Sequence, residues 1–275
     1  MSQQQQILMC APDYFGIDYV INPWMEGNCG KADQGLAVEQ WSGLRRAIET
    51  HAEVVLIPQQ PGLPDQVFTA NAGMVLKEKV VVSRFKAPER QREEPFFEAW
   101  FAQHDFEIDA WPPEVSFEGA GDALLDRGQP LIWAGYGFRS GVATPGLLEK
   151  AFGRRVIGLQ LVDPRFYHLD TCLCPLEGGY VMYFPGAFDG DGQKAIADHV
   201  PEEKLIEVDA ADAEHFCCNA VDVNRYVMMN GASEALQARL RKAGFTPVIT
   251  PLSEFMKAGG AAKCLTLKLR EEQDC

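Results

Sequence analysis

The chain has 275 residues, of which 47% are hydrophobic and 23% are charged, so it can form one large domain or two ordinary ones. Its net charge of -14 argues against a nucleic-acid partner and against an anionic membrane surface, since both select a basic face. The sequence contains no run of about 18 apolar residues, so it predicts no membrane-spanning helix. The N-terminus MSQQQQILMC lacks the features of a secretory signal. We therefore expect a cytoplasmic protein that binds no membrane and no nucleic acid.

The eight cysteines are irregularly spaced, and a chain of this length does not need disulfides to fold. Neither the CLC run at Cys172 nor the adjacent pair Cys217 and Cys218 fits a zinc-binding spacing. No Gly-rich phosphate loop and no HExxH motif are present. We expect most of these cysteines to be reduced and buried, and we expect neither a metal nor another cofactor.

A pattern of two strands, a helix and a further strand recurs about every 50 residues, a period typical of repeat architectures. The first unit runs through QILMCAP, GLAVEQWSGLRRAIETH and AEVVLIPQ, and the second through FTANAGMVLKEKVVVSRF, PERQREEPFFEAWFAQH and FEIDAWP. In each unit the middle segment shows helical periodicity and the flanking segments alternate as strands do. These units indicate a ββαβ repeat.

The third unit runs through FEGAGDALLDRGQPLIWAGYGFRS, TPGLLEKAFG and RVIGLQLV, and its DRGQ is a hairpin turn. The fourth continues through FYHLDTCLCPLEGGYVMYFPGAF, GQKAIADHV and KLIEVD, and the fifth through CCNAVDVNRYVMMNG, SEALQARLRKAG and FTPVITP. The final AKCLTLKL then returns to complete a ring. The sequence predicts a five-bladed pseudo-symmetric α/β propeller forming one domain over residues 1–275, whereas the simpler alternative is an α/β protein of irregular order.

Polar residues stand at the start of the first strand of successive units, where the blades of a propeller converge. They are Asn71, Glu118, Asp122, His168, Asp170, Asn219 and Cys264. Any one of them alone is typical of a turn. Together they place a thiol, an imidazole and carboxylates on one pole, and the i, i+2 spacing of His168 and Asp170 sets both on one face of a strand.

This sequence resembles the guanidine-modifying enzyme superfamily of arginine deiminases, dimethylarginine hydrolases and amidinotransferases. The resemblance runs from APDYF to GGAAKC and includes FEGAGD and HLD. It implies a five-bladed α/β propeller in which Cys264 is the nucleophile and His168 the general acid and base. Glu118 is then the carboxylate that grips the substrate guanidinium, and Asp170 is a second guanidinium contact.

Within that superfamily the sequence is most similar to arginine dihydrolases, through DYVINPWM, FTANAG, APER and GFRS. Such an enzyme converts L-arginine to L-ornithine, carbon dioxide and two ammonia. Deiminases carry an aspartate where this chain has Asn71. Because an amide both donates and accepts hydrogen bonds, Asn71 suits a cationic guanidinium as well as the neutral urea of citrulline.

The other end of an L-arginine substrate needs partners of its own. Arg90 and Arg139 are predicted to fork the α-carboxylate, with three other arginines as alternatives, Arg84, Arg92 and Arg165. Asn22 in INPWM is predicted to lie in a loop over the site and to touch the α-amino group, although it is also typical of a turn before Pro23. A homo-oligomer is compatible with the sequence.

Three other functions remain open from the sequence. The runner-up is an arginine deiminase or dimethylarginine hydrolase that stops at citrulline. An amidinotransferase would instead pass the amidino group from Cys264 to an amine. An inactive arginine-binding sensor is the non-enzymatic alternative, and the thiol argues against it because simple binding has no use for a nucleophile.

Overall fold

The computed structural model describes residues 5–270, so the N-terminal glutamine run is only partly covered and Cys275 lies outside the described residues. The strands are β1 (Gln6–Cys10), β2 (Glu53–Ile57), β3 (Gly73–Leu76), β4 (Lys79–Val82), β5 (Glu107–Asp109), β6 (Ala123–Leu125), β7 (Leu131–Tyr136), β8 (Arg155–Gln160), β9 (Leu173–Leu176), β10 (Tyr180–Tyr183), β11 (Leu205–Glu207), β12 (Val221–Val223), β13 (Tyr226–Met229), β14 (Thr246–Ile249) and β15 (Leu267–Arg270). The helices are α1 (Gln34–Glu49), α2 (Pro88–Gln91), α3 (Glu94–Gln103), α4 (Thr144–Phe152), α5 (Gly190–His199), α6 (Ala210–Glu214), α7 (Glu234–Lys242) and α8 (Ser253–Met256).

The strands form five three-stranded sheets of one design. In each sheet an inner strand pairs antiparallel with the middle strand, and the middle strand pairs parallel with the outer one. The sheets are β15-β1-β2, β3-β4-β5, β6-β7-β8, β9-β10-β11 and β12-β13-β14. A helix links the middle strand to the outer strand of each sheet, because parallel neighbours need a crossover. The predicted five-bladed α/β propeller is confirmed.

The first blade takes its inner strand from the end of the chain. Strand β15 pairs antiparallel with β1, and Leu267 stands opposite Leu8. Leu267 and Leu269 are buried in one apolar cluster with Leu8 and Ile57. The final strand therefore closes the ring, as the sequence predicts.

The longer helices follow the sequence with one clear difference. Residues 88–104 are predicted as one helical stretch, but the structure divides them into α2 and α3, with Glu93 between the two helices. Pro95 lies in the first turn of α3, where its missing N–H costs nothing, but inside a continuous helix it would break a backbone bond. Helices α6 and α8 are short and were not predicted.

Short 3-10 turns precede the inner strands and face the centre of the ring. Thr69–Ala72 leads into β3, Gly119–Gly121 into β6, and Leu169–Thr171 into β9. The chain around Asn219 and the turn holding Cys264 occupy the corresponding places before β12 and β15. We call these five segments the hub turns. The grouped polar residues lie within them or directly beside them, since Glu118 and His168 precede their turns and Asp122 follows its turn.

Candidate active site

Cys264 is held by Asn219, which stands in the neighbouring hub turn. The Asn219 Oδ1 accepts hydrogen bonds from the backbone N–H groups of Ala261 (3.0 Å) and Cys264 (3.1 Å). The Asn219 Nδ2 lies 3.1 Å from the Cys264 Sγ and also donates to the Asp170 carbonyl at 3.0 Å. One buried amide thus fixes the thiol relative to the hub turns of the fourth and fifth blades.

Asp170 contacts the thiol from the other side. Its Oδ2 lies 3.5 Å from the Cys264 Sγ, and the carboxylate is fully buried. Burial raises the pKa of Asp170 to about 7, against the charge of Lys263. Burial, followed by repulsion from Asp170, also raises the pKa of the Cys264 thiol well above its ordinary value. In the free protein the sulfur is therefore a protonated thiol at neutral pH.

His168 and Glu118 form the second part of the site. The His168 Nε2 lies 2.7 Å from the Glu118 Oε2, and the Arg139 Nη1 donates to the same oxygen at 2.9 Å. Burial alone would raise the pKa of Glu118, but the charge of Arg139 and the hydrogen bond with His168 hold that pKa well below its usual range. Glu118 is therefore a charged carboxylate that orients the imidazole.

Asn71 lies against Glu118 on the main-chain side. Its Nδ2 donates to the Glu118 carbonyl at 3.0 Å, and its Oδ1 accepts from the Arg90 Nη1 at 2.8 Å. A Cβ at Gly121 would stand 2.4 Å from the Asn71 Nδ2 and 3.3 Å from the His168 ring, so only glycine fits between them. Each polar atom of the amide keeps capacity for a further hydrogen bond.

The two arginines that the sequence analysis assigned to the α-carboxylate differ in their surroundings. Arg90 is buried and donates to the Glu93 carboxylate from Nε (2.9 Å) and Nη2 (2.8 Å). Its remaining terminal nitrogen, Nη1, contacts Asn71. Arg139 lies over the Tyr167 ring, 4.7 Å from its centroid, and donates from Nη2 to the Ile21 carbonyl at 2.8 Å. Carboxylate binding by either arginine stays a prediction, and Arg139 is the one whose partners include a loop over the site.

That loop joins β1 to α1 and closes the pole. The Asn22 Nδ2 donates to the Ala258 carbonyl at 3.0 Å, and the Trp24 Nε1 donates to the Arg165 carbonyl at 2.8 Å. Gly259 has a φ of 87°, and a Cβ there would stand 2.8 Å from the Asn22 Oδ1, so this close approach requires glycine. We call residues 12–33 the covering loop.

Asp65 belongs to the site but was missed by the sequence analysis. Its Oδ2 accepts from the Tyr19 hydroxyl at 2.9 Å, while its Oδ1 is buried without a hydrogen-bond partner. Burial raises the pKa of Asp65, although the charges of Arg90 and Arg139 oppose that rise. Its place six residues before Asn71 in PDQVFTAN was the available signal. An unpartnered carboxylate oxygen here suits a cationic group of a ligand.

The site as described is closed to solvent. Cys264 is 2% exposed, and His168, Glu118 and Asp170 are equally buried, so a ligand enters only when a covering segment moves. Within residues 5–270, His, Cys, Asp and Glu form no group of three that could hold a metal ion. Likewise, no helix among the described residues combines the length and apolarity needed to cross a membrane.

A buried thiol, imidazole and carboxylate set on one pole of a five-bladed α/β propeller defines the guanidine-modifying enzyme superfamily. A family model described as "N,N dimethylarginine dimethylhydrolase, eukaryotic" matches residues 12–271. The N(G),N(G)-dimethylarginine dimethylaminohydrolase of Mycobacterium tuberculosis is 38% identical over 95% of this chain and 84% of its own length. The chain belongs to the dimethylarginine dimethylaminohydrolase family.

A cyanobacterial protein is more similar in sequence. The bifunctional arginine dihydrolase/ornithine cyclodeaminase ArgZ of Synechocystis is 52% identical over 98% of this chain, which spans only 38% of that protein's length. The crystal structure of the N-terminal domain of its C264S variant, bound to substrate, matches with a TM-score of 0.96 over 97% of this chain and 98% of that domain. A second structure holds the N71S variant of the same domain covalently bound to a reaction intermediate.

Proposed function

We propose that this chain converts L-arginine to L-ornithine, carbon dioxide and two ammonia, with covalent intermediates on Cys264. The observation that carries the proposal is the neutral amide of Asn71, placed 3.0 Å from the Glu118 carbonyl inside a thiol, imidazole and carboxylate set. The variants in the two relative structures concern a cysteine and an asparagine with the same numbers as Cys264 and Asn71.

The first half-reaction begins when the guanidinium binds between Glu118 and Asp170. The cation offsets the repulsion between Asp170 and a sulfur anion, so Cys264 releases its proton to water as the substrate binds. The thiolate attacks the central carbon, and protonated His168 gives its proton to the departing ammonia. Water, deprotonated by the now neutral His168, then attacks the thiouronium and releases citrulline and the thiolate.

The second half-reaction needs the same sulfur to attack a neutral urea. Asn71 can donate its free N–H to the urea oxygen, whereas an aspartate would face that oxygen with a second acceptor. Loss of the second ammonia leaves a thiocarbamate on Cys264. Hydrolysis of this thiocarbamate releases the thiolate and ornithine carrying a carboxylate on its δ-nitrogen, which decomposes to ornithine and carbon dioxide. One arginine and two waters thus give ornithine, carbon dioxide and two ammonia.

The amino-acid end of the substrate lies under the covering loop in this proposal. Arg139 exchanges its hydrogen bond with Glu118 for two hydrogen bonds with the α-carboxylate, and Glu118 then binds the substrate guanidinium. Asn22 contacts the α-amino group. Arg90, which donates to the Asn71 Oδ1, contributes a second positive charge. Asp65 supplies the unpartnered carboxylate oxygen that a nearby ammonium or guanidinium would need.

The second candidate is hydrolysis that stops at citrulline, from arginine or from a methylated arginine. The family to which the chain belongs favours it, since the matching model is described by dimethylarginine hydrolysis. It requires the urea to leave before Cys264 attacks again. Asn71 is the feature that argues against it.

A product analysis separates the two candidates. The chain is incubated with L-arginine uniformly labelled with carbon-13 and with dimethylarginine, and products are identified by NMR and an ammonia assay. Ornithine with two equivalents of ammonia supports the proposal, and citrulline with one equivalent supports the second candidate. The Cys264→Ser variant is the control, which should bind arginine without converting it.

The cellular setting is also a proposal. The seven cysteines within the described residues are all unpaired, and six of them are buried, as in proteins of a reducing compartment. We therefore place the chain in the cytoplasm. A homo-oligomer is compatible with an active site that one chain supplies alone.

A further inference from the structure

The Asn219 side chain is fully buried, and hydrogen bonds occupy every polar atom of its amide. Its Oδ1 accepts from the backbone N–H groups of Ala261 at 3.0 Å and of Cys264 at 3.1 Å. Its Nδ2 donates to the Asp170 carbonyl at 3.0 Å and to the Cys264 Sγ at 3.1 Å. An amide offers two acceptor sites and two donors, so these four contacts use all of them.

These partners allow only one orientation of the Asn219 amide. If its oxygen and nitrogen exchanged places, the oxygen would face the Asp170 carbonyl and the NH2 group would face two backbone N–H groups. Both pairings bring like groups together, and a buried polar group without its partner costs free energy. Asn219 therefore presents an N–H to the sulfur and not a carbonyl oxygen.

The sulfur of Cys264 lies between this N–H and the Asp170 carboxylate. An ionised carboxylate only accepts hydrogen bonds, and the Asp170 Oδ2 lies 3.5 Å from the Sγ. The S–H of the free thiol therefore points to Asp170, while Asn219 donates to a lone pair of the sulfur. When the thiol ionises, the contact with Asp170 becomes a repulsion, whereas the contact with Asn219 becomes a charge-assisted hydrogen bond.

Other titratable groups also act on the sulfur. Those around Cys264 and on the rest of the pole are Asp170, Tyr167, Lys263, His168, Glu118 and Arg139. Burial and then the charge of Asp170 raise the pKa of the thiol, and hydrogen bonds from the Ala261 N–H and the Asn219 side chain oppose that rise. Asn219 is thus the side chain that both contacts the sulfur and favours its ionised form.

We propose that Asn219 is a catalytic residue, whose Nδ2 stabilises the Cys264 thiolate by a hydrogen bond to the sulfur. In the proposed function the sulfur attacks twice as a thiolate and is released twice as a thiolate. The saturated amide holds its N–H at the sulfur through all of these steps without moving. The inference rests on the proposed function for the reaction that it serves, but the stabilised thiolate is a property of the free protein.

The variant that tests this role is Asn219→Asp. Aspartate keeps an acceptor for both backbone N–H groups but has no N–H to donate. A carboxyl group is a stronger acid than a thiol, so a proton shared between the two stays on the sulfur. The free protein is treated with iodoacetamide between about pH 7 and pH 9, where alkylation of Cys264 follows the amount of thiolate. Mass spectrometry of the Cys264 peptide gives the rate.

Asn230→Asp is the matched control, because Asn230 has similar contacts directly after β13. Its Nδ2 donates to the His215 carbonyl at 3.0 Å and lies 2.8 Å from the Met256 Sδ, and its Oδ1 accepts from the Leu252 N–H at 2.7 Å. The Met256 sulfur is a thioether and does not ionise. The exposed Cys29 reports the reactivity of the reagent in each sample.

We expect Asn219→Asp to slow the alkylation of Cys264 about tenfold or more at each pH, which corresponds to a rise of about one unit in the pKa of the thiol. Asn230→Asp should alkylate at the rate of the original chain, and the Cys29 rate should be the same in all three proteins. An unchanged or faster rate in Asn219→Asp would overturn the inference, since a residue that only holds the turn would expose the sulfur when altered.

A second measurement separates the lost donor from the added charge, and it does not need Asn219→Asp to fold. Nitrogen-15 NMR of the asparagine side chains compares the original chain with Cys264→Ala, which removes the sulfur. One of the two Nδ2 protons of Asn219 should move upfield, while the proton bonded to the Asp170 carbonyl stays in place. If neither proton moved, the hydrogen bond to the sulfur, and with it the inference, would be refuted.

Failure of the proposed function gives a different result. If Cys264→Ser binds no L-arginine, the proposed function fails, whereas the alkylation and NMR results are obtained without arginine. If Cys264→Ser binds L-arginine and the original chain converts it, but Asn219→Asp alkylates like the original chain, only the role of Asn219 is overturned.

Discussion

In the proposed reaction, the side chain of Asn71 controls which product leaves the site. Replacing it with aspartate puts a carboxylate oxygen 3.0 Å from the Glu118 carbonyl, where the amide N–H now donates, and removes the donor for the urea oxygen. We expect Asn71→Asp to release citrulline and to lower ornithine formation roughly tenfold or more, since an unmade buried hydrogen bond costs about 1–3 kcal/mol. The ratio of citrulline to ornithine, measured by chromatography, checks this.

A matched control is Asn224→Asp, which makes the same charge change in the turn between β12 and β13. It should leave the product ratio unchanged. Continued release of ornithine by Asn71→Asp, at the rate of the original chain, would refute the role of the amide.

The protonation of Cys264 in the free protein is a second property of one residue. Burial and the repulsion of Asp170 raise the pKa of the thiol, so the protonated form should persist to a higher pH than in an ordinary thiol, whose pKa is about 8.5. We expect the ultraviolet thiolate absorbance of the original chain and of Cys264→Ser to be the same at pH 8. A thiolate band in the difference between these two spectra at pH 8 would show instead that the thiolate forms before the substrate binds.

The convergence of the predicted site residues could be read from the sequence, but their hydrogen-bond partners could not, and their catalytic roles stay predictions. Cys264, His168 and Asn71 stand at equivalent places in repeated units, and repetition along a chain is visible in sequence. The occupation of the Arg90 fork by Glu93 and the unpartnered oxygen of Asp65 depend on where α2 and the turn before β3 meet. Contacts between such segments are set by tertiary packing, and no local sequence pattern records them.

At the scale of elements, strand alternation and helix periodicity were sufficient to predict every blade. The short 3-10 turns that carry the hub residues were not visible, because three or four residues show no period. They were interpreted as strand starts, and the structure places them one turn earlier, as at Thr69–Ala72 before β3. This difference matters for function, since a turn aims several side chains at the axis whereas a strand alternates them.

At the same scale, we expect the covering loop to control access to Cys264. One of its attachments is the hydrogen bond from the Trp24 Nε1 to the Arg165 carbonyl, and the Trp24 ring also packs on Phe216 with centroids 4.5 Å apart. Trp24→Phe removes the bond while keeping an aromatic ring, at a cost of about 1 kcal/mol. We expect iodoacetamide to alkylate Cys264 roughly fivefold faster, as followed by mass spectrometry of its peptide.

The control for this experiment lies in the same loop. Tyr14 is 51% exposed, so Tyr14→Phe should leave the alkylation rate unchanged. An unchanged rate in Trp24→Phe would mean that another segment opens the site.

At the scale of the whole molecule, the nucleophile Cys264 lies next to the strand pairing that closes the ring. Cys264 stands in the hub turn directly before β15, the strand that joins the end of the chain to β1. Loss of this pairing would leave the inner strand of the first blade missing and the thiol without a fixed position. The stability of the ring and the geometry of the site should therefore be lost together.

Leu269→Ala tests this coupling, since Leu269 is 3% exposed in the cluster that joins β15 to β1 and β2. We expect it to lower the free energy of unfolding by about 2–5 kcal/mol, whereas Val142→Ala, at a site 77% exposed, should change it by less than ~0.5 kcal/mol. Urea titrations are followed by circular dichroism and by arginine turnover. Within each of the three proteins, the two probes should give the same midpoint. A loss of turnover well before the loss of ellipticity would show that β15 detaches while the other blades stay folded, because a strand that opens alone releases Cys264 without unfolding the ring.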